Sequence, residues 1–242
     1  MSIDRVFTKD NLDNYLKELG REFRKRNGTK MPAEIILVGG AAILANYDFR
    51  EMTYDIDAVV TASSAMKEAV NAVGDKFQLP NRWLNADFKN TNSYSPKLRQ
   101  YSKYYRTYSN VLHIRAVNAE YLIAMKLMSG RSYKKDLSDV VGILYEQEKS
   151  GQPLGYEKID KAVKELYGDW NGISDYARKI LLTALSSENL AELFEQQMKE
   201  ENLSRQILLH AEQKDTKAVT ESSAEDIIRK ALAKKKSNRD ER

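Results

Sequence analysis

The sequence predicts an α+β fold, with a small mixed β-sheet and helices followed by a C-terminal helical region. Three segments are predicted as strands, because short apolar runs or alternating patterns end there at glycine or polar residues. The segments between them carry apolar side chains at helical spacing, and beyond Gly151 this spacing continues without another strand. Few strands among many helices indicate that the sheet is small.

The amino-terminal part of the chain is predicted as a helix, a strand and a second helix. Residues 9–27 have apolar side chains three and four positions apart, as in an amphipathic helix, and Gly28 can end that helix. The continuous apolar run at 34–38 is typical of a buried strand. The run stops at a pair of glycines, and a short helix is expected to follow directly at 41–47.

A second strand is expected at 55–60, where two acidic side chains alternate with apolar ones. Because successive side chains of a strand point to opposite faces, Asp55 and Asp57 are predicted to share one face. A helix should follow to about Gly74. Residues 77–97 are rich in proline and asparagine, which interrupt any regular period, so this segment is expected to be mainly loop.

The last strand and the helices after it complete the predicted first domain. The strand is expected at 111–117, and helices are expected at 118–129 and 134–148. The helices follow the last strand without a second strand-like segment. We therefore place the end of the first domain near residue 150, so that this domain covers residues 1–150.

Beyond the first domain the sequence predicts helices only. They are expected at 156–167, 174–186, 187–198, 201–213 and 223–235. These helices form the predicted helical region at 151–235. The last residues, 236–242, are polar and highly charged, so they are expected to be a disordered tail.

Composition narrows the classes of protein to which the chain can belong. Hydrophobic residues make up 42% and charged residues 31% of the sequence, and we find neither a membrane-spanning apolar run nor a signal segment. We therefore expect a cytoplasmic globular protein. The lack of cysteine excludes thiolate metal sites, and His113 and His210 are too far apart in sequence to suggest zinc. Any metal should be a hard, oxygen-bound ion such as Mg²⁺ or Mn²⁺.

Two features that suit phosphate and metal chemistry follow each other between residues 35 and 60. Gly39 and Gly40 lie between a strand and a helix, where the backbone can approach a ligand and the helix start attracts anions. The two carboxylates of the next strand can reach one cation. Each feature alone is more often a simple turn or a solvated strand. Their succession favours a joint phosphate and metal site.

Several short motifs follow in a set order along the chain. They are Gly39-Gly-Ala-Ala-Ile-Leu44, Arg50 ahead of Thr53-Tyr-Asp-Ile-Asp57, Lys126 on a predicted helix, and Arg131 followed by Lys135-Asp136 and Asp139. With these motifs, residues 34–145 resemble the DNA polymerase β-like nucleotidyltransferase superfamily. Within that superfamily they are most similar to the AbiEii-type toxins of prokaryotic toxin–antitoxin and abortive-infection systems.

The resemblance implies a metal-dependent transfer of a nucleoside monophosphate from a nucleoside triphosphate to a hydroxyl group. The implied nucleotide-binding residues are Gly39, Gly40, Arg50, Thr53, Arg131 and Lys135. The implied catalytic residues are Asp55 and Asp57 as ligands of Mg²⁺ or Mn²⁺, Lys126 at the phosphates, and Asp136 near them as a polar group or as a base. The acceptor could be an RNA such as tRNA or a protein side chain, and an antitoxin protein could be a partner.

The helix predicted at 118–129 gives a reason to consider Lys126 that does not depend on the resemblance. Most of the other side chains of this helix are apolar, so the helix is expected to be largely buried. A buried lysine needs an anionic partner or a cleft, unless it extends to solvent. The acidic residues Asp136 and Asp139 have an equally simple alternative, because acids are favourable in the first turn of any helix.

One departure from the superfamily pattern opens a second hypothesis. Active members carry a third carboxylate on a neighbouring strand, whereas the strand predicted at 111–117 has only His113 and Arg115 as polar residues at its centre. Asp87 and Glu120 are near in sequence but lie outside that strand. The alternative is therefore a catalytically degenerate domain that binds a nucleotide or a nucleic acid without transferring anything.

A third hypothesis comes from a tyrosine-rich and basic segment ahead of the last strand. Its tyrosines are Tyr94, Tyr101, Tyr104, Tyr105 and Tyr108, and basic residues lie among them. Such a segment can bind nucleic acid through phosphate contacts and base stacking, as in an adaptor protein. The simpler interpretation is a loop and strand edge whose tyrosines pack against the C-terminal helices. His113 is likewise interpreted as a half-buried strand residue rather than as a general base.

Overall fold

A computed structural model describes residues 6–60, 63–214 and 220–240. The described residues form two compact units. The first takes its residues from Met1–Met125 and Glu157–Gly172, and the second takes them from Lys126–Tyr156 and Ile173–Arg242. Among the described helices, none combines the length and the apolar character that crossing a membrane requires.

Helices and strands alternate in the first half of the chain, and only helices follow. The strands are β1 (Phe7–Thr8), β2 (Ala33–Leu37), β3 (Met52–Thr53), β4 (Ile56–Val60), β5 (Leu84–Asn85), β6 (Ser102–Tyr108) and β7 (Leu112–Val117). The helices are α1 (Lys9–Asn27), α2 (Gly39–Asn46), α3 (Ser64–Phe77), α4 (Ala119–Ser129), α5 (Asp136–Lys149), α6 (Tyr156–Tyr167), α7 (Asp175–Leu185), α8 (Leu190–Lys214) and α9 (Glu221–Asp240). Two short 3-10 helices lie at Asp87–Asn90 and Pro96–Arg99.

The main sheet has five strands in the order β5-β4-β2-β7-β6. Strand β2 pairs antiparallel with β4 and parallel with β7, so the sheet is mixed. Strand β5 runs parallel to β4, and β6 runs antiparallel to β7. Strands β1 and β3 form a separate two-stranded sheet. The predicted fold class, a small mixed sheet with helices and a helical C-terminal region, is confirmed.

The register of the main sheet places Asp57 on the face opposite to a row of fully buried apolar side chains. Leu37 pairs with Ala58 of β4 and with Ala116 of β7, and all three side chains are fully buried. The next pairing positions, Ile36 with Val59 and Arg115, belong to the opposite face. By the same alternation Asp57 points to that opposite face. One side of the sheet is therefore core, and the other carries the acidic residue of interest.

Four details of the predicted elements need correction. Strand β6 was not among the predicted strands, because its interleaved tyrosines and basic residues are also typical of a surface loop. The segment 77–97, predicted as mainly loop, contains the two-residue strand β5. The helices predicted at 187–198 and 201–213 are the single helix α8. Helix α9 continues to Asp240, past the predicted helix end at 235, and residues 241–242 lie outside the described residues.

The second unit is a set of helices whose interior contains several buried polar residues among the aliphatic ones. Helix α8 has the buried residues Gln197, Glu201 and Ser204 at spacings that keep them on one side of the helix. In α5 the first residues, from Asp136 to Asp139, are also buried. A separate apolar cluster joins Leu208 of α8 to α9. Polar residues thus occupy positions at which helix packing normally places aliphatic side chains.

Candidate functional site

One end of the five-stranded sheet collects the glycines and carboxylates that the sequence singles out. Strands β2 and β7 finish at this end, while β4 and β5 start there. The backbone N–H of Val38, the last residue before α2, donates to the carbonyl oxygen of Asp57 at 3.0 Å. This bond ties the end of β2 to the start of β4. The first turn of α2 consequently lies beside the carboxylates.

Gly39 and Gly40 are required by what lies next to them. Gly39 has a φ of +53°, a backbone conformation that other residues rarely adopt, and a Cβ placed there would lie 3.4 Å from Asp57 Oδ2. A Cβ on Gly40 would lie 2.5 Å from Thr53 Oγ1 and 2.9 Å from Arg50 Nη2. Only glycine therefore lets the guanidinium and the hydroxyl approach the start of α2.

The segment that carries Arg50 and Thr53 is fixed by local hydrogen bonds and by the small sheet. Arg50 Nε donates to the carbonyl oxygen of Met52 at 3.2 Å, and Thr53 Oγ1 donates to Asp55 Oδ1 at 3.5 Å. Thr53 pairs with Phe7 of β1, whose side chain is fully buried. Because the phenylalanine anchors β1, the pairing holds Thr53 next to Gly40. The start of α2, a guanidinium and a hydroxyl together can bind an anion such as phosphate.

Asp57 has a neighbour that the sequence did not single out. Asn85 of β5 is the register partner of Asp57, and its Nδ2 donates to Asp57 Oδ1 at 3.2 Å. Asp57 itself is half-buried, whereas Asp55, just before β4, is exposed. Strand β5 is only two residues long, so no periodicity could reveal it. Its parallel pairing with β4 is a tertiary contact, and the sequence contains no signal for it.

From the sequence, a third carboxylate was sought on the wrong strand. The strand predicted at 111–117 is β7, and β2 lies between it and β4, so β7 is not the neighbour of the strand that carries Asp57. The neighbour is β5, which places the amide of Asn85 there. Asp87 follows β5 but is bound by Arg82, with Nη1 2.7 Å from its Oδ2. Glu120 lies in the first turn of α4.

The carboxylates present fit a cation that takes part of its ligands from a substrate. Within the part of the chain that the structure describes, no group of three or more histidine, cysteine, aspartate or glutamate side chains could hold a metal ion. Mg²⁺ commonly binds one or two carboxylates and completes its shell with water and phosphate oxygens. Asp55 and Asp57 beside a phosphate-binding helix start suit that mode.

Lys126, Arg131 and Asp136 lie in the second unit and form a buried ionic network with Asp139. Lys126 Nζ is 2.9 Å from Asp136 Oδ1 and 2.8 Å from Asp139 Oδ2. Arg131 Nε donates to Asp136 Oδ2 at 2.8 Å. Lys126 is 9% and Asp136 only 1% exposed. Of the alternatives that the sequence left open for Lys126, the structure shows an anionic partner, supplied by both Asp136 and Asp139.

The network determines the protonation state of Asp136. Burial alone would raise the pKa of this carboxyl, but Lys126 and Arg131 hold it well below its usual range. A carboxylate with so low a pKa is a weak base. Lys135, predicted to bind nucleotide, is the N-cap residue of α5 and makes no side-chain cap bond there. The first unit therefore brings together Gly39, Gly40, Arg50, Thr53, Asp55 and Asp57, and the second brings together Lys126, Arg131 and Asp136.

The tyrosines of the basic segment are largely engaged within the first unit. Tyr105 and Tyr108 both donate to Asp13 Oδ1 of α1, at 2.9 and 2.7 Å. The sequence predicts that these tyrosines pack against the C-terminal helices, whereas their hydroxyl groups bind the first helix. Burial and the bond to Asp13 raise the pKa of Tyr105 to about 12. Tyr101 stacks on Tyr121 with ring centroids 4.0 Å apart. Tyr104 is the exposed member of the set.

His113 is a half-buried strand residue, as predicted. Its Nδ1 lies 2.9 Å from Thr107 Oγ1, across the β6–β7 pair. Arg115, two positions on, donates from Nε to Ser102 Oγ at 2.8 Å, toward β6. Both polar residues of β7 are thus used in contacts with β6, away from β4.

Comparison with known proteins gives one finding. A family model described as "Nucleotidyltransferase of unknown function (DUF6036)" matches residues 14–148, which is more than half of the chain. The matched region contains the glycines, both carboxylates of the sheet end, and the buried network around Asp136. Neither a curated protein nor a solved structure matches the chain.

Proposed function

We propose that this chain, which belongs to the nucleotidyltransferase family DUF6036, is a metal-dependent enzyme. It moves a nucleoside monophosphate from a nucleoside triphosphate to a hydroxyl group. The observation that carries this proposal is the approach of the α2 start to the acidic strand. A Cβ on Gly39 would be 3.4 Å from Asp57 Oδ2, so phosphate-binding N–H groups and a carboxylate share one small space. This is the arrangement needed to hold a phosphate and its counter-cation together.

The residues of the sheet end have separate tasks in this proposal. The start of α2 and the guanidinium of Arg50 bind the phosphates, and Thr53 keeps Asp55 in place. Asp55 and Asp57 would hold Mg²⁺ or Mn²⁺, which when bound neutralises charge on the phosphate oxygens. The chain's own contribution to the rate is then mainly positioning and electrostatic stabilisation.

The reactants of the transfer are the nucleotide and an acceptor hydroxyl. The acceptor oxygen forms a bond to the α-phosphorus as the bond from that phosphorus to the bridging oxygen breaks. The β- and γ-phosphates leave together as pyrophosphate, and the hydroxyl proton passes to solvent. Because Asp136 is buried and held by Lys126 and Arg131, we assign it the role of positioning those two cations rather than that of the base.

The acceptor and the biological setting are proposed from the resemblance of residues 34–145 to the AbiEii-type toxins. On that resemblance the acceptor is an RNA such as tRNA or a protein side chain. The protein would then be the toxin of a toxin–antitoxin pair, with an antitoxin protein as its partner. Lys126, Arg131 and Lys135 would contact the nucleotide phosphates.

Label transfer tests the proposal directly. The full chain is incubated with each α-phosphate-labelled nucleoside triphosphate, Mg²⁺ or Mn²⁺, and either total RNA or a cell lysate. The double variant Asp55→Ala/Asp57→Ala serves as control, and melting curves establish that it is folded. Label found on RNA or protein with the wild type only would support the proposal and identify the acceptor class. Equal labelling by the double variant would contradict it.

The amide at position 85 favours a second candidate function, a degenerate module that binds nucleotide without transfer. Asn85 occupies the strand position beside Asp57, so a third carboxylate is missing from that position. Nucleotide binding by calorimetry separates the two candidates. The module predicts binding of a nucleoside triphosphate that Asp57→Ala weakens, together with no labelled product from any acceptor fraction.

A further inference from the structure

We propose that Asn85 is a positioning residue of the proposed metal site, where its side-chain amide fixes the orientation of the Asp57 carboxylate. This inference rests on the proposed function and names a residue that lies outside all the motifs given by the sequence analysis. Asn85 and Asp57 are register partners on the parallel strands β5 and β4. The bond from Asn85 Nδ2 to Asp57 Oδ1 measures 3.2 Å, and both side chains are half-buried.

The hydrogen bonds of Asn85 settle which end of its amide faces Asp57. Asn85 Oδ1 accepts the backbone N–H of Asp87 at 2.8 Å. An exchange of the amide oxygen and nitrogen would set NH₂ against that N–H and an oxygen against the carboxylate, so both bonds would be lost. Position 85 therefore supplies a hydrogen-bond donor to Asp57. It does not supply a ligand oxygen for a cation.

The donated bond distinguishes the two oxygens of Asp57. Oδ1 is held by Asn85, while Oδ2 lies on the side of Gly39, 3.4 Å from the position of a Cβ there. The last torsion of an aspartate side chain is broad, so a hydrogen bond to one oxygen narrows the range of orientations that the carboxylate adopts. Asn85 thus turns Oδ2 toward the start of α2, where the phosphates and the cation are proposed to bind.

Two substitutions separate the donor of Asn85 from its other bond. Asn85→Ala removes both hydrogen bonds of the side chain. Asn85→Asp keeps an oxygen for the N–H of Asp87 but replaces the donor with a second carboxylate beside Asp57. Asn92→Ala is the matched control, since Asn92 is exposed and lies in the loop that follows the first 3-10 helix.

The measurement is Mn²⁺ affinity of the full chain, from the electron paramagnetic resonance signal of free Mn²⁺, with melting temperatures in EDTA beside it. Loss of an outer-shell partner typically weakens metal affinity by about 10- to 100-fold, and Asn85→Ala is expected to raise the Mn²⁺ dissociation constant by about 10-fold or more. Asn92→Ala should leave it unchanged. Asn85→Asp should melt below wild type in EDTA, because like charges repel, and should recover with Mn²⁺.

The outcomes separate this inference from the proposed function. If Asp57→Ala weakens Mn²⁺ binding but Asn85→Ala does not, the positioning role of Asn85 is wrong and the metal site stands. Absence of Mn²⁺-dependent recovery in Asn85→Asp also overturns the positioning role. If Asp57→Ala binds Mn²⁺ as wild type does, the metal site itself is wrong, and both proposals fall.

Discussion

Gly40 is the residue whose substitution most directly tests the geometry of the sheet end. The side chain of Gly40→Ala would meet Thr53 Oγ1 and the Arg50 guanidinium, so one of them must move away from the α2 start. We expect a loss of roughly 1–3 kcal/mol in unfolding free energy, as for other overpacked sites, and weaker nucleotide binding. Denaturant unfolding and calorimetric titration with a nucleoside triphosphate measure the two effects.

Gly155→Ala is the control for that substitution. No atom lies within 4 Å of a Cβ at Gly155, and its backbone conformation is compatible with alanine. Its unfolding free energy should stay within about 0.5 kcal/mol of wild type. Nucleotide affinity equal to wild type in Gly40→Ala would show that Arg50 and Thr53 are not needed where the structure places them.

Asp136 is the residue on which the buried network of the second unit depends. Asp136→Asn leaves Arg131 and Lys126 without the carboxylate that binds both, although Lys126 keeps Asp139. Breaking a buried ion pair costs about 3–5 kcal/mol, and we expect a loss of unfolding free energy of that order. Urea unfolding monitored by circular dichroism measures it.

The exposed pair of Asp226 and Arg229 gives the comparison for Asp136. Their side chains are 57% and 76% exposed, so Asp226→Asn should cost less than about 1 kcal/mol. A loss no larger in Asp136→Asn than in Asp226→Asn would mean that solvent, and not the network, neutralises Asp136.

The residues of the sheet end were predictable from sequence to the extent that they are encoded locally. Gly39, Gly40, Asp55 and Asp57 follow from a strand that stops at glycines and a strand with alternating acids. The place of Lys126 on an apolar helix indicated a partner, a cleft or extension to solvent, and only the structure shows that Asp136 and Asp139 are its partners. Asn85 was not predictable, because its role depends on which strand pairs with β4, and pairing partners distant in sequence leave no periodicity.

Helix α8 stabilises the start of α5 through one buried carboxyl. Glu201 Oε1 accepts the backbone N–H groups of Leu137 and Ser138 at 2.9 and 3.1 Å, which satisfies donors that every helix start leaves open. Glu201 is 3% exposed, and its Oε2 is buried without a hydrogen-bond partner. Burial and the nearby Asp139 raise the pKa of this carboxyl to about 8, even though the bonds from Ser138 and Leu137 lower it. Tyr176 is a further titratable group that interacts with Glu201.

This contact predicts a pH dependence of stability that Glu201→Gln should remove. The folded pKa of about 8 exceeds the ordinary value of 4.5, so the folded state binds the proton more tightly. The contribution of Glu201 is complete below pH 4.5 and is lost as the pH rises to about 8, with a slope of at most about 1.4 kcal/mol per pH unit. Glutamine resembles the protonated acid, so the variant should show a flatter unfolding free energy over this range.

Glu195→Gln on the same helix is the control for the pH experiment. The side chain of Glu195 is 72% exposed, and its substitution should leave the wild-type slope in place. A Glu201→Gln variant with the same slope as wild type, measured by urea unfolding between pH 5 and 8, would show that Glu201 is ionised in the folded protein.

The helices and strands that were predicted correctly are those whose own residues contain a complete repeat of apolar side chains. Helices α1 and α6, strand β2 and strand β7 have enough apolar residues in one pattern to define them. Strand β6 mixes tyrosines and basic residues without a regular alternation, and its inward side is recognised only from tertiary contacts such as the bond of Tyr108 to Asp13 of α1. Helix α8 is one continuous helix, although the sequence predicts two. The prediction divided it because the buried residues Gln197 and Glu201 are polar and interrupt the apolar period.

At the scale of the whole molecule, the two groups of predicted site residues fall in different compact units. The glycines, Arg50, Thr53 and the paired aspartates belong to the first unit, and Lys126, Arg131 and Asp136 belong to the second. The first group has the composition of a phosphate and cation site. The second is internally neutralised, with its lysine and arginine bound by carboxylates. Nucleotide binding should therefore affect the two units differently.

Hydrogen exchange followed by mass spectrometry can test this difference on the full chain. With Mn²⁺ and a nucleoside triphosphate, we expect slower amide exchange in the segment 37–60, because the start of α2 and the strand with Asp57 are proposed to hold the ligand. Asp55→Ala/Asp57→Ala should abolish this protection, whereas Asp226→Asn should not change it. Additional protection at 126–139 would support the predicted phosphate contacts of Lys126 and Arg131. Protection confined to 37–60 would instead mean that their network serves to stabilise the second unit, since bound carboxylates already satisfy both cations.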